Sequence, residues 1–253
     1  MGSRNDIRRL DTNEPPTKMI KLITVTWSDD DYVEGIKDTF LYKSFIKYND
    51  EKNFIHFHYN RNNYKDIEGE FEKKYGYQYE YLLYKIFLTK DKLYDIDTDY
   101  FIFSDATDVI CLGDINSISL HENVLFSTEI NKYPSSFGDW GGVEYSPDDY
   151  ENKRFLNAGL FMSSKENYIN LLESVIINIF PKNLKSFGGD QGVFTYHYLT
   201  KTLPEINLDV NSELFLSTFD RDHNDFLNYS FPIFVHDNGW DYGSPRFITR
   251  FNL

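Results

Sequence analysis

The sequence predicts an α/β protein built on a central, mainly parallel sheet. Three observations predict it. Apolar and β-branched runs alternate with segments of helical period through the first hundred residues, in the order strand, helix, strand, helix, strand. Several of the runs are short and apolar at every position, as strands covered on both faces are. The chain is 253 residues long with no linker-like stretch, which favours one domain.

The first expected strand is Ile20 to Trp27. Ser28 and Asp29 to Asp31 can cap a helix expected from about Tyr32 to Tyr48. Asn53 to Tyr59 alternates and reads as the second strand. A helix is expected from Tyr77 to Leu93, with Leu82, Leu83, Ile86 and Phe87 on its apolar stripe. Tyr100 to Phe103 is the third strand and runs into Ser104-Asp105-Ala106-Thr107-Asp108. Val124 to Ser127 is another buried strand. Phe155 to Met162 is apolar but contains Asn157 and Gly159. Tyr168, Leu171, Leu172, Val175, Ile176 and Ile179 mark an amphipathic helix. Phe187 to Gln191 reads as a turn opening a helix that runs to about Leu199, and Phe231 to His236 is a late strand. Residues 1–18 read as a flexible tail and 19–253 as the folded domain.

Composition excludes several functions. The formal net charge is -14 and there is no Lys/Arg cluster, which argues against nucleic acid or an anionic membrane as partner. A diphosphate remains possible if a divalent cation bridges it to the protein. Cys111 is the single cysteine, so no internal disulfide forms. No apolar run reaches the roughly 18 residues that span a bilayer, and the N-terminus lacks a signal-peptide core. A soluble, cytoplasmic protein is expected. No phosphate-cradling Gly-rich loop follows the first strand, which lowers kinase and dehydrogenase readings.

In open α/β sheets ligands bind beyond the carboxyl ends of the strands. Asp105, Asp108 and His236 sit at such ends. Two hard oxygen donors and one nitrogen donor suit Mn²⁺, and a diphosphate would complete its shell. The bland alternative stays open: an aspartate after a strand is often a cap or turn residue, and a strand-end histidine is often only hydrogen-bonded.

The chain resembles the glycosyltransferase domain of the procollagen lysyl hydroxylases and, more broadly, the GT-A glycosyltransferases, whose single domain has a Rossmann-type sheet. The matching segments are LITVTW at Leu22 to Trp27, FSDATDVI at Phe103 to Ile110, VLFSTE at Val124 to Glu129, KRFLNAG at Lys153 to Gly159, GGDQ at Gly188 to Gln191 and FVHDNG at Phe234 to Gly239. All occur in the family's order. The resemblance implies transfer of glucose or galactose from a UDP-sugar to an acceptor hydroxyl, with (galactosyl-)hydroxylysine of a collagen-like chain as acceptor. It implies Mn²⁺ on Asp105, Asp108 and His236. It places Thr26 and Trp27 in the nucleoside pocket, and Thr107 where the family often has a tyrosine near the uracil. Glu129, Asn157, Asp190 and Gln191 would surround the donor sugar and the acceptor, with Asp190 or Glu129 as catalytic carboxylate. Asn238 and Gly239, in the turn after His236, are counted with the substrate-binding residues.

Departures concern the acceptor and, to a lesser degree, the donor sugar: Gly188-Gly189 replaces a run of aspartates, Tyr133-Pro134 replaces Trp-Pro, and Trp240-Asp241 stands where a lysine follows the family's turn. Trp140, among glycines, is either a sugar-stacking platform or a plug for its loop. Lys85 could reach a phosphate but reads better as a solvated lysine, and His56 and His58 read as packing. Two rivals remain: a metal-dependent phosphohydrolase, whose paired aspartates would be two rather than three residues apart, and a non-catalytic nucleotide-sugar binding module.

Overall fold

The computed structural model describes residues 18–28, 34–60, 73, 89–132, 154–178, 189–200, 205–218 and 232–237. A six-stranded sheet forms from β1 (Ile20–Ser28), β2 (Phe54–Asn60), β3 (Tyr100–Ser104), β5 (Val124–Lys132), β6 (Arg154–Ser164) and β7 (Ile206–Leu208), in the order β2-β1-β3-β6-β5-β7. β1 pairs in parallel with β2 and β3, and β5 with β7, whereas β6 runs antiparallel to both neighbours. Five strands thus share one direction, which is the mainly parallel α/β architecture expected.

The apolar runs are explained by burial on both faces. Phe101 and Phe103 point to one side, into a core shared with Phe126, Phe161 and Tyr168; Ile102 points to the other, with Leu22, Leu41 and Phe45. Phe161 stacks on Phe103 at 5.1 Å and on Tyr168 at 5.3 Å between ring centroids. Two helices lie against the first core, α2 (Lys165–Asn178) and α3 (Gly189–Thr200).

Some elements differ from expectation. The helix predicted from Tyr32 to Tyr48 is broken: Glu34–Asp38 is a 3₁₀ turn and the α-helix is only α1 (Phe40–Phe45). Thr39 stands between them in extended backbone, and its hydroxyl accepts the Tyr42 amide N–H. A capping hydroxyl has won over helix continuation. The last helix begins at Gly189, inside the stretch read as a turn, so Asp190 occupies its first turn. Of the helix expected over Tyr77 to Leu93, residues 89–93 are described and helical; the remainder, like the tail at 1–17, lies outside the described residues.

Three short strands were not foreseen as a unit. β4 (Val109–Cys111), β8 (Phe215–Ser217) and β9 (Phe234–His236) form a second sheet in the order β4-β9-β8. Three residues are too few to carry a hydrophobic period. No described helix is long and apolar enough to cross a membrane.

Candidate metal centre

Asp105 leaves the carboxyl end of β3, and its backbone N–H donates to the Gly159 carbonyl of β6 at 2.8 Å. Asp108 immediately precedes β4. His236 ends β9, and the β4–β9 ladder sets it opposite Val109. The Asp237 N–H donates to the Asp108 carbonyl at 2.8 Å, and the Thr218 hydroxyl donates to the buried Asp237 carboxylate. The small second sheet therefore closes a gap of 128 residues between Asp108 and His236.

One ligand atom from each of Asp105, Asp108 and His236 lies within 4.8 Å of the others. His236 Nε2 is 3.2 Å from Asp108 Oδ2 and 3.9 Å from Asp105 Oδ2. The imidazole is 3 % exposed, whereas the carboxylate side chains are 34 % and 18 % exposed for Asp105 and Asp108. The cluster is thus open on its acidic side and sealed behind the ring. Burial disfavours the imidazolium, but Asp108, with Asp105 and Glu129 behind it, outweighs that cost and raises the His236 pKa above its ordinary value. Two carboxylates converging with one imidazole fit a divalent cation that accepts both oxygen and nitrogen.

The backbone beneath is shaped for this cluster. A β-carbon on Gly159 would lie only 2.5 Å from His236 Cε1 and within contact of the Asp105 carboxylate. Gly159 was legible only as part of a matching segment; nothing in its own sequence context showed that two ligands rest on it. Gly159→Ala is expected to displace them and lower divalent-cation affinity about 10-fold or more, from an overpacking cost of about 1–3 kcal/mol. Calorimetric cation titration checks this; an unchanged affinity would show that the ligands have room to spare.

Behind the ring, Asn157 Oδ1 lies 3.1 Å from His236 Nδ1 and accepts the Gly159 N–H at 3.0 Å. Asn157 Nδ2 donates to Glu129 Oε1 at 3.2 Å. Asn157 and Glu129 are 3 % and 6 % exposed, so this is an interior network. It continues to α3, where Gln191 Oε1 accepts the Ala158 N–H at 3.4 Å and Asp190 Oδ1 accepts the Gln191 N–H at 2.9 Å. The negative charge of Asp190 also faces Tyr168, whose buried hydroxyl is held well above the usual phenol pKa by burial first and by Asp190 and Tyr59 next.

Other expected residues lie apart from this network or outside the described set. The Thr26 hydroxyl, on β1, is 2.6 Å from His56 Nε2 and 3.0 Å from His58 Nδ1 on β2, so the two histidines share one hydroxyl rather than merely packing. Burial, with His58 nearby, lowers the His56 pKa. Thr107 is exposed between the two aspartates. Trp27 pairs with Tyr59 in the β1–β2 ladder, and its side chain is outside the described residues. Trp140, Asn238, Gly239 and Lys85 are outside them altogether.

Fold and site together define an α/β protein with a candidate divalent-cation centre at the carboxyl end of a central sheet strand. No family model matches the chain, and no curated protein matches it. Among solved structures it is similar to a glycosyltransferase involved in the glycosylation of the major capsid of PBCV-1, at 14 % identity and a TM-score of 0.49, covering 87 % of this chain and 94 % of that one. So distant a likeness says nothing of what this chain binds or transfers.

Proposed function

We propose that the chain is a cation-dependent glycosyltransferase of the GT-A kind, moving glucose or galactose from a UDP-sugar to an acceptor hydroxyl. The observation that supports it best is the convergence of Asp105, Asp108 and His236 on one point, from two segments that the resemblance singles out and that lie far apart in the chain. Asp105, Asp108 and His236 would hold Mn²⁺, which when bound neutralises the departing diphosphate. An acidic chain of net charge -14 has particular need of that charge between itself and a nucleotide diphosphate.

Around this centre the chain's own residues take the remaining roles. Thr26, Trp27 and Thr107 are proposed for the nucleoside. Gln191, Trp140, Asn238 and Gly239 are proposed for the sugar and acceptor. Asp190 is the first choice for the carboxylate that works on the acceptor proton or supports the donor face. Glu129 is the second, because Asn157 already ties it to the metal centre. The acceptor class, hydroxylysine or galactosyl-hydroxylysine of collagen-like chains, follows from family analogy. The single domain over residues 19–253 is part of the same reading.

A screen of UDP-sugars with Mn²⁺, reading UDP release with and without acceptor, tests the proposal. Acceptor-dependent release from one donor supports it. Phosphate release from simple phosphomonoesters without sugar transfer would favour a phosphohydrolase, and UDP binding without turnover a binding module. Asp190→Ala is expected to reduce turnover by about 10²-fold or more, the scale of a lost acid–base group, while leaving UDP affinity within a few-fold. Parallel losses in both quantities would assign Asp190 a structural role.

A further inference from the structure

Asn157 is a buried amide with each of its hydrogen-bonding groups spoken for by a different element. Its carbonyl oxygen accepts the backbone N–H of Gly159 at 3.0 Å and faces His236 Nδ1 at 3.1 Å. Its NH₂ donates to the Glu129 carboxylate at 3.2 Å. The amide therefore has one acceptable orientation. Flipping it would set NH₂ against the Gly159 N–H and a carbonyl oxygen against a carboxylate. Gly159 and Glu129 fix that orientation from opposite sides, without reference to the histidine.

The histidine must then conform. Facing a carbonyl oxygen, His236 Nδ1 carries the proton and donates it. In a neutral ring this leaves the lone pair on Nε2, the nitrogen that faces Asp105 and Asp108. A ligating histidine needs just this arrangement: one nitrogen free to coordinate and the other anchored by an acceptor that sets tautomer and ring plane.

Local backbone irregularity puts Asn157 in place. The β5–β6 register runs Phe126↔Phe161 and then Ser127↔Asn157, so residues 158–160 have no register partner on β5. The Gly159 carbonyl takes the Asp105 N–H one step beyond the Ser104↔Leu160 register of β3 and β6, while the Gly159 N–H, within the bulge, takes Asn157 Oδ1. One distorted stretch of β6 thus sets the backbone of one cation ligand and the tautomer of another.

We propose that Asn157 is the positioning residue of the metal centre, holding the His236 proton on Nδ1 so that Nε2 coordinates the cation. This rests on reading Asp105, Asp108 and His236 as a cation site, and it removes Asn157 from the residues that read the donor sugar. The test uses Zn²⁺, a diamagnetic cation that accepts the same donor set, on the full chain without nucleotide. In the parent protein, ¹⁵N–¹H correlations of the His236 ring are expected to show a protonated Nδ1 and a metal-shifted Nε2. Asn157→Leu is expected to lower Zn²⁺ affinity 10–100-fold by calorimetry, the usual scale for an outer partner of a metal ligand. Asn157→Asp keeps an acceptor for Nδ1–H and, sharing a proton with Glu129 in place of the lost N–H donor, is expected to lie closer to the parent than to Asn157→Leu. Ligation through Nδ1, or Asn157→Leu binding Zn²⁺ as the parent does, overturns the positioning role and leaves the cation site standing. A His236 ring unmoved by Zn²⁺ overturns both. Should Asn157→Leu fail to fold, the parent spectra and Asn157→Asp still decide the matter.

Discussion

Asp108→Ala, and equally Asp105→Ala, is expected to abolish sugar transfer while the fold persists. The cation contributes several kcal/mol of charge stabilisation where a diphosphate leaves, and losing it corresponds to a rate loss of about 10³-fold or more. Each aspartate supplies one of the two carboxylates that the cluster has among the described residues. Neither side chain belongs to the hydrophobic cores, and both are partly exposed, so truncation opens no interior cavity. Removing Asp108 also takes away the chief charge that raises the His236 pKa. Turnover, Mn²⁺ affinity and thermal midpoint would be measured together. Transfer at the parent rate from either variant would remove the cation from the chemistry.

Chelation is expected to stop activity, and Mn²⁺ to restore it better than Ca²⁺. Ca²⁺ takes 6–8 oxygens at about 2.3–2.6 Å. Here one of three protein donors is an imidazole nitrogen held in the interior. Mn²⁺ accepts carboxylate and imidazole alike. The same histidine makes the effect depend on pH. Coordination needs an unprotonated Nε2, and the raised pKa of His236 means that protons compete up to higher pH than at an ordinary imidazole. Cation affinity should therefore fall as pH is lowered through that raised value. In the metal-free protein the sign is opposite: the His236–carboxylate contribution to stability is full below the unfolded imidazole value and fades as pH rises through the folded one. The rise in thermal midpoint on adding Mn²⁺ should accordingly grow with pH. Equal reactivation by Ca²⁺, or an affinity indifferent to pH, would argue against a site completed by His236.

The strands at Ile20, Tyr100 and Val124 were legible because a strand buried on both faces has no polar alternation to confuse the reading, whereas β2, half-buried at the sheet edge, was legible by its alternation. Asp105 and Asp108 were legible for a related reason: charged residues directly after such a run must lie where the sheet ends. The helix after β1 was misread because the apolar residues of Phe40–Phe45 were extended back over Thr39, where a local hydroxyl bond stops the helix. Asn157 could be placed at the site by resemblance, but its hydrogen bonds depend on a bulge that leaves no period in the sequence.

The sequence by itself determined that an α/β sheet would form and that acidic side chains would stand at one end of it, since burial and alternation are local properties of each run. Tertiary structure decided how His236 meets those acids, because their contact depends on a ladder of three residues between segments more than a hundred positions apart. It also decided that β6 would run against its neighbours and buckle at Gly159. Strand direction and register are settled by which edges find each other, and no stretch of chain contains that information alone.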